Sequence, residues 1–412
     1  MIRILNYDIA FLSLIIPDSM KEEVKNKSNH LMEDAAIAWQ NHIIEGIEKN
    51  NGERLKLFNL MPVHAYPGGY KDAFIKRFIF SHAEGAQDIN IGFCNVKIIK
   101  RMFRHWNVYK EVKNWANTDN GKEKVLIAYT LFHEYTITIK KIKKKYPNIT
   151  TITIVVDLPM YVATSRKKVS LVAKVYEAWS VYQSRINNQY VDGFVVVTKQ
   201  MAEILSKNRP YKIVEGICTS KFPEIKRNED GFIRIIYAGL LLEKFGIMKL
   251  VDAFSMIEDS DFRLYICGIG EAETIIKERA VEDKRILFLG QLKRQEVLEL
   301  MATCNIIVNP RENVGEFTKY SFPSKNMEAL SSGIPFVGYK LDGIPDEYDQ
   351  YINYPKDDTI ESLSELLYSV GKDRFNEAKI CAELAKLWVL NNKNSEKQGK
   401  KILDLIEEIK KL

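Results

Sequence analysis

The strongest constraint in this sequence is a repeated alternation between short apolar runs and longer amphipathic stretches. The short runs are rich in β-branched residues, which favours strands, and the longer ones repeat apolar residues at helical intervals. Strands followed by helices in this order are typical of parallel sheets built from βα units. The predicted strands cover residues 2–5, 55–60, 89–93, 125–129, 151–156, 194–198, 233–237, 262–267, 286–289, 306–308 and 335–339, and the clearest predicted helices cover 31–47, 97–115 and 170–188.

The length of 412 residues predicts two domains, because one hydrophobic core rarely supports so long a chain. A polar stretch that holds Pro223 and lacks periodicity separates the two sets of strands. We predict an α/β fold with two Rossmann-like, doubly wound parallel-sheet domains that face each other across a cleft. The predicted parts are a first domain over residues 1–220, a linker over 221–231, a second domain over 232–390 and an amphipathic helix over 391–412, which could pack back on the first domain. Ligands of such sheets bind outside the carboxyl ends of the strands, so we expect the site there, in the cleft.

Composition narrows the functional classes. Sixty Lys and Arg against 54 Asp and Glu give a net charge of +6, which suits phosphate-bearing ligands or an anionic membrane and does not require nucleic acid. The five cysteines form no Cys-x-x-Cys pair, so neither a zinc site nor a disulfide framework is predicted. No run approaches the roughly 20 apolar residues that span a bilayer. We therefore expect a cytoplasmic protein with no metal and no prosthetic group.

The segment over residues 309–339 carries the clearest chemical signal. A buried strand ends in a polar loop, after which Ser321, Phe322, Pro323 and Ser324 precede a short predicted helix. Free backbone N–H groups and the helix dipole make such a helix start a natural seat for a diphosphate, and Lys325 adds a positive charge. Glu328 lies one turn further on and could accept hydrogen bonds from sugar hydroxyls. The alternative is an ordinary helix start with a solvated lysine and a surface acid.

Two further strand ends are candidates for phosphate contact. Gly239 follows a predicted strand and permits close backbone approach, and Lys244 could reach a phosphate from the same edge. Gly268 and Gly270 follow the next strand, but Glu273 replaces the third glycine of a dinucleotide fingerprint, so that motif is weak. Taken by itself, each of these two segments could also be an ordinary strand, turn and helix that binds no ligand.

Together these segments resemble the carboxyl-terminal, nucleotide-sugar-binding domain of GT-B glycosyltransferases, particularly the large retaining family 4. The resemblance covers residues 232–350 and rests on several motifs in order: Gly239-x(4)-Lys244, Gly268-x-Gly270, Leu289-Gly290, Asn309-Pro310-Arg311 and Ser321-Phe322-Pro323-Ser324-Lys325-x-x-Glu328. The stretches over 320–325 and 343–348 are similar to a branch common in bacterial capsule and exopolysaccharide clusters.

The resemblance implies roles for individual residues. Glu328 would bind the ribose hydroxyls, Lys244 would hold the diphosphate, and Leu289 with Gly290 would flank the base. Two positions depart from the family: Tyr320 stands where its first glutamate is expected, and Leu240 where an arginine usually follows the turn glycine. Glu316 or Arg311 could compensate. The implied donor site consists of Gly239, Lys244, Gly268, Leu289, Gly290, Tyr320, Ser321, Phe322, Pro323, Ser324, Lys325 and Glu328.

The first half would bind the acceptor, and its strand ends hold polar candidates. His133 and Glu134 follow one predicted strand and Asp157 follows the next, so these side chains could orient an acceptor hydroxyl or act as a base. A lone histidine after a strand is more often structural. We predict His133, Asp157, Lys244 and Lys325 as the catalytic set.

Basic residues cluster in two stretches of the first half, 140–145 and 100–106, the second of which also holds aromatic residues. Either could rest on an anionic membrane that presents a lipid-linked acceptor, or could be a solvated helix face. Asp259 and Asp261 form an Asp-x-Asp pair, but the pair precedes its strand, so no metal role is predicted.

The resemblance implies an enzyme that transfers a hexosyl residue from a nucleotide-diphosphate sugar, by family habit a UDP-sugar, to a lipid-linked or oligosaccharide acceptor. Retention of configuration, independence of metal and a place in surface polysaccharide biosynthesis at the cytoplasmic face of the membrane are implied with it. Three alternatives stay open: a nucleotide-sugar epimerase of the same fold, a catalytically silent nucleotide-binding subunit, and an oxidoreductase.

Overall fold

The computed structural model describes residues 6–29, 34–158, 171–218, 222–225 and 230–412. The chain divides into two compact units: unit 1 comprises Met1–Ile217 together with Ser395–Leu412, and unit 2 comprises Cys218–Asn394. The strand predicted over 2–5 and parts of the predicted linker lie outside the described residues.

Unit 1 contains a sheet whose strands run through a buried core. Its strands are β1 Asp8–Ser13, β2 Lys56–Asn59, β3 Phe74–Ile75, β4 Phe78–Phe80, β5 Asp88–Asn90, β6 Phe93–Cys94, β7 Lys124–Tyr129, β8 Thr150–Val155, β9 Gly193–Val196 and β10 Tyr211–Ile213. The sheet order is β10-β9-β8-β7-β1-β2-β5-β4, parallel except for the antiparallel edge strand β4, and β3 pairs with β6 separately. The helices that precede unit 2 are α1 Lys21–Lys27, α2 Asp34–Asn51, α3 Lys97–Ala116, α4 His133–Lys145, α5 Leu171–Asn187 and α6 Lys199–Leu205.

Unit 2 contains a five-stranded parallel sheet. Its strands are β11 Ile233–Ala238, β12 Phe262–Cys267, β13 Ile286–Gly290, β14 Ile306–Asn309 and β15 Phe336–Gly338, in the order β13-β12-β11-β14-β15. Its helices are α7 Ile247–Ser255, α8 Glu273–Glu282, α9 Arg294–Met301, α10 Ser324–Ser332, α11 Ile360–Gly371 and α12 Phe375–Asn392. Two hydrophobic clusters cover the sheet, one with Phe254 of α7 and Leu363 of α11, the other with Leu330 of α10 and Val389 of α12. The predicted α/β class with Rossmann-like, doubly wound parallel sheets is confirmed.

The final helix, α13 Ser395–Lys410, packs in unit 1 against α2. Gly46 and Gly399 lie at the crossing, and a Cβ on either would overlap the backbone of the other helix. Helices approach this closely only where side chains are absent, so both positions require glycine. On its inner face α13 buries Ile402, Leu405 and Ile406.

Within the described ranges, no helix combines the length and the apolar character needed to cross a bilayer.

Candidate functional site

The sheet of unit 2 has a topological switch point between β11 and β14. From β11 the chain moves to β12 on one side, whereas β14 lies on the other side, so the connections after these two neighbouring strands lead to opposite faces. The carboxyl ends of strands at such a point form a crevice in which α/β proteins bind ligands. The residues that follow are Gly239 after β11 and Pro310 after β14.

Glycines bring the loops after β11 and β12 into backbone contact. Gly239 N–H donates to the Cys267 carbonyl at 2.8 Å, and a Cβ on Gly268 would overlap the Gly239 carbonyl. Gly268 has a φ of 145°, a backbone conformation that side chains disfavour. Glycine at position 268 is thus required by the packing of the protein itself.

Lys325 reaches from the first turn of α10 to the end of β11. Its ammonium donates to the Ala238 carbonyl and lies 5.5 Å from the centroid of the Tyr237 ring. The residue is exposed overall, but Gly239 and Tyr237 enclose the ammonium end, and this burial lowers the pKa of Lys325 to about 8. No carboxylate pairs with it among the residues described. The Lys325 ammonium thus lies at the end of β11, beside the switch point.

Lys244 lies on a 3-10 turn, Glu243–Phe245, between β11 and α7. The side chain is exposed, and its ammonium lies 5.3 Å from the centroid of the Phe245 ring. Within the described part of the chain it has no ion pair. Two cations without a carboxylate partner thus flank the end of β11.

Glu328 lies one turn into α10 and is not free to bind a ligand with its whole carboxylate. Its Oε1 accepts from Arg294 Nη2 of α9 at 2.7 Å, and the arginine side chain is largely exposed. Among the described residues, no side chain or backbone group donates to the other oxygen, Oε2. A ribose hydroxyl would therefore bind Oε2 or displace Arg294.

Some residues before α10 set the path of the backbone into the helix, and one packs its side chain in the core. Tyr320 ends a 3-10 turn, Ser321 is extended with a φ of −143°, and Pro323 caps the helix without a side-chain bond. Phe322 packs on Tyr348, with ring centroids 5.4 Å apart, and therefore belongs to the core of unit 2. The helix starts at Ser324, an exposed residue.

An amide pair fixes the start of α10, and the sequence analysis missed it. Asn309, the last residue of β14, donates from its side-chain Nδ2 to the side-chain Oδ1 of Asn326 at 2.7 Å. This bond joins the strand end directly to the first turn of the helix. Only the two asparagines, one at a strand end and one just inside the next helix, could have indicated it.

Leu289 and Gly290 end β13 at the same edge of the sheet. The Gly290 carbonyl accepts from Gly268 N–H at 2.8 Å, so that oxygen is already used within the protein. Leu289 is exposed and offers an apolar surface, which suits the face of a base more than a polar contact.

In unit 1 the two predicted catalytic residues differ in burial: His133 is buried and Asp157 is exposed. His133 begins α4, is buried, and lies 4.6 Å from the Trp179 ring between centroids. Burial lowers its pKa, and its Nδ1 has no hydrogen-bond partner. Glu134 forms a buried ion pair with Arg104 at 2.7 Å and is therefore structural. Asp157 is exposed after β8, next to residues outside the described ranges.

Basic and aromatic side chains also meet on the surface of α3 and α4. Trp106 is 56% exposed, and Lys141 Nζ lies 4.0 Å from the centroid of its ring. Other lysines of this stretch are engaged, since Lys143 pairs with Asp192. The Asp-x-Asp pair of unit 2 is engaged too, because Asp259 and Asp261 both pair with Lys372.

Comparisons with known proteins agree with this architecture. The family model of glycosyl transferases group 1 matches residues 233–370, which lie in unit 2 and include the switch point. The chain carries a glycosyltransferase domain. The prediction of a glycosyltransferase is thereby confirmed at the level of this domain. No curated protein sequence matches the chain significantly.

The whole chain has the GT-B fold. Sucrose-phosphate synthase from Thermosynechococcus elongatus matches with a TM-score of 0.64 and 12% identity, covering 98% of this chain and 99% of that one. The lipopolysaccharide outer core galactosyltransferase WaaB matches with a TM-score of 0.62 and 14% identity, over 97% and 99% of the two chains. HepE of Anabaena, solved in complex with UDP, matches with a TM-score of 0.56 and 11% identity, over 97% and 100%. At these identities the likeness concerns the fold alone.

Proposed function

We propose that this protein transfers a hexosyl residue from a nucleotide-diphosphate sugar to a glycan acceptor. One observation carries the proposal: Lys325 reaches the end of β11 and Lys244 lies on the turn that follows it, and neither forms an ion pair with a carboxylate of the described residues. Charges that are partly withdrawn from water are normally paired, so this arrangement suits a ligand that brings its own negative charge. A nucleoside diphosphate is such a ligand.

The proposed catalytic task of this edge is to stabilise the departing nucleoside diphosphate. The N–H groups at the start of α10, its dipole and Lys325 would act on the diphosphate after β14, and Lys244 would act on it after β11. These groups supply the positive charge that a divalent cation supplies in other transferases, so we propose a reaction without metal. Retention of configuration follows the family 4 resemblance, and UDP is favoured because HepE was solved with UDP.

We further propose that unit 1 binds a lipid-linked or oligosaccharide acceptor of a surface polysaccharide pathway, such as capsule or exopolysaccharide synthesis. His133 and Asp157 are the candidates for orienting the acceptor hydroxyl. The exposed Trp106 with Lys141 against its ring supports peripheral contact with an anionic membrane, at its cytoplasmic face.

Calorimetric titration with UDP, GDP and ADP tests the donor site. We expect one of them to bind, and Lys244→Ala and Glu328→Ala to weaken it by about 1–3 kcal/mol, the usual loss of a charge-assisted hydrogen bond. Lys277→Ala is the matched control, since this lysine is exposed on α8 and pairs with Glu273. Binding that is unchanged in both site variants would refute the donor assignment.

One observation favours a second candidate, a subunit that binds nucleotide without catalysis. Tyr320 and the exposed Leu240 stand where the resemblance implies charged residues. Turnover distinguishes the two: release of free nucleotide from the sugar nucleotide, with or without acceptor, supports the transferase, and binding without any release supports the silent subunit. An epimerase would change the sugar while the nucleotide stays attached.

A further inference from the structure

Arg311 is a third cation at the switch point. It follows β14 by two residues, and β14 is the neighbour of β11, after which Gly239 and Lys244 come. Carboxyl ends of adjacent parallel strands meet at one edge of a sheet, so the loop with Arg311 lies beside the loop with Lys244. The contact is direct, because a Cβ on Gly246 would overlap the Pro310 carbonyl.

The guanidinium of Arg311 is held in place by aromatic rings. Its Cζ lies 4.9 Å from the Phe317 ring centroid and 5.5 Å from that of Phe245, the ring that also carries the Lys244 ammonium. Nη2 donates to the Ser321 hydroxyl at 3.0 Å, three residues before α10 begins. Arg311 thus connects the turn of Lys244 to the segment that leads into α10, and its plane is fixed before any ligand binds.

The charge of Arg311 is not neutralised within the described residues. Nε is buried and has no hydrogen-bond partner, and no carboxylate contacts the guanidinium. The adjacent Glu312 is turned to another cation, since it pairs with Lys249 of α7. Burial lowers the pKa of Arg311, which reflects the free-energy cost of keeping this charge away from water. An incoming anion would remove that cost.

We propose that Arg311 binds the terminal phosphate of the nucleoside diphosphate and discriminates diphosphates from monophosphates. This inference rests on the proposed function and adds a specificity-determining residue to it. A guanidinium presents parallel N–H groups that match two phosphate oxygens, and the stacking rings keep the other donors aligned. Together with Lys244 and Lys325 it gives the diphosphate three positive groups, while exposed Leu240 after β11 contributes none.

The test is calorimetry with UDP and UMP on the full chain, or with GDP and GMP if the protein prefers guanosine. Arg311→Gln keeps a donor for Ser321 and removes the charge. We expect it to weaken UDP binding by roughly tenfold to a hundredfold and UMP binding by less than about threefold. Arg311→Lys keeps the positive charge but lacks the paired N–H groups of the guanidinium. We expect it to lose less UDP affinity than Arg311→Gln and to leave UMP affinity nearly unchanged. Arg263→Gln is the matched control, because the Cζ of this arginine lies 3.9 Å from the Phe232 ring centroid, but the residue lies at the amino end of β12, away from the switch point.

The outcomes separate the two proposals. Equal loss of UDP and UMP affinity, or no loss of either, would overturn the assignment of Arg311 and leave the proposed function standing. A wild-type protein that binds neither UDP nor GDP would overturn both. If Arg311→Gln does not fold, the test uses Arg311→Lys instead. A ratio of UDP affinity to UMP affinity in Arg311→Lys that equals the wild-type ratio would reject the assignment.

Discussion

The carboxyl edges of the two sheets use polar residues in opposite ways. In unit 1, Ser13, Asn59 and Asn90 end the neighbouring strands β1, β2 and β5, and all three are fully buried. The Asn59 amide accepts from Ser13 Oγ and Ile15 N–H and donates to the Ile15 carbonyl and Asn90 Oδ1, at 2.8–3.0 Å. These neutral groups satisfy one another.

In unit 2, the corresponding edge presents Lys325, Arg311 and Lys244, none of which forms an ion pair with a carboxylate of the described residues. An edge whose polar groups are satisfied internally contributes to stability, because each bond replaces one that water would have made. An edge with uncompensated charge lowers stability and gains free energy when an anion arrives. The contrast is between a polar cluster with a structural role and an edge whose charges suit an anionic ligand.

The largest expected effect concerns the polar edge of unit 1. Asn59→Ala would leave the Ser13 hydroxyl, the Ile15 backbone groups and the Asn90 amide without their partner, which should lower the free energy of unfolding by about 4 kcal/mol. Urea unfolding followed by circular dichroism measures it. The control is Asn107→Ala, which removes one exposed bond to the Gly92 carbonyl. A loss as small as the control's would contradict a structural role.

Unit 1 also pairs its buried charges internally, and this predicts a pH dependence of stability. Burial lowers the pKa of His82, but hydrogen bonds to Asp88 and Glu48 outweigh burial and raise it to about 9. The stabilisation is complete below the unfolded pKa of about 6.5 and is lost as pH rises through 9, by up to about 3 kcal/mol. Urea unfolding between pH 6.5 and 10 should show the decline. His82→Asn should remove it, and a decline of wild-type size in this variant would assign the effect to another group.

A substitution at the edge of unit 2 should lower ligand affinity and leave stability intact, the opposite of Asn59→Ala. Lys325→Met removes a charge without a carboxylate partner, so we expect UDP affinity to fall by roughly thirtyfold, about 2 kcal/mol, while stability does not fall. Calorimetry and urea unfolding on the same preparation test both statements. A variant that loses stability and keeps its affinity would make this lysine structural, and the contrast between the edges would fail.

The smallest expected effect is a slope of UDP affinity with pH. Lys325 is charged below its pKa of about 8, and a bound diphosphate favours the charged form. Affinity should therefore be level below pH 8 and fall by up to about tenfold per unit above it. In Lys325→Arg the side chain stays charged over this pH range, so UDP affinity should depend less on pH. The same measurement with UMP corrects for ionisation of the uracil base, which both nucleotides share. A wild-type profile that stays flat to pH 9.5 would show that Lys325 does not contact the diphosphate.

Much of unit 2 could be predicted because the central strands of its sheet are mainly apolar and largely buried. The run over 262–267 coincides with β12 Phe262–Cys267, and that over 233–237 stops one residue short of Ala238. In unit 1, β3 and β6 have two residues each, too few to show a period, and β1 begins at Asp8, a residue type that disfavours strands.

The candidate site was less predictable, because its charges depend on contacts between distant residues. Motif spacing indicated Lys325 and Glu328, but the contact of Lys325 with Ala238 joins residues 87 apart and the pair Arg294–Glu328 joins residues 34 apart. Sequence alone also assigned Phe322 to the ligand, whereas its ring packs on Tyr348. The sequence indicated Arg311 as part of the Asn309-Pro310-Arg311 motif and as a residue that could compensate for the departures at Tyr320 and Leu240, but its buried, unsatisfied Nε appears only in the fold.

The docking of α13 on α2 has a consequence for the order of events during synthesis. Unit 2 is one continuous segment, Cys218–Asn394, and all of it leaves the ribosome before Ser395 does. Unit 1 waits for the last turns of the chain, and until then the surface that receives Ile402, Leu405 and Ile406 stays open to water. Unit 2 can thus fold while unit 1 is still incomplete, and at that stage a chaperone could bind the uncovered apolar surface.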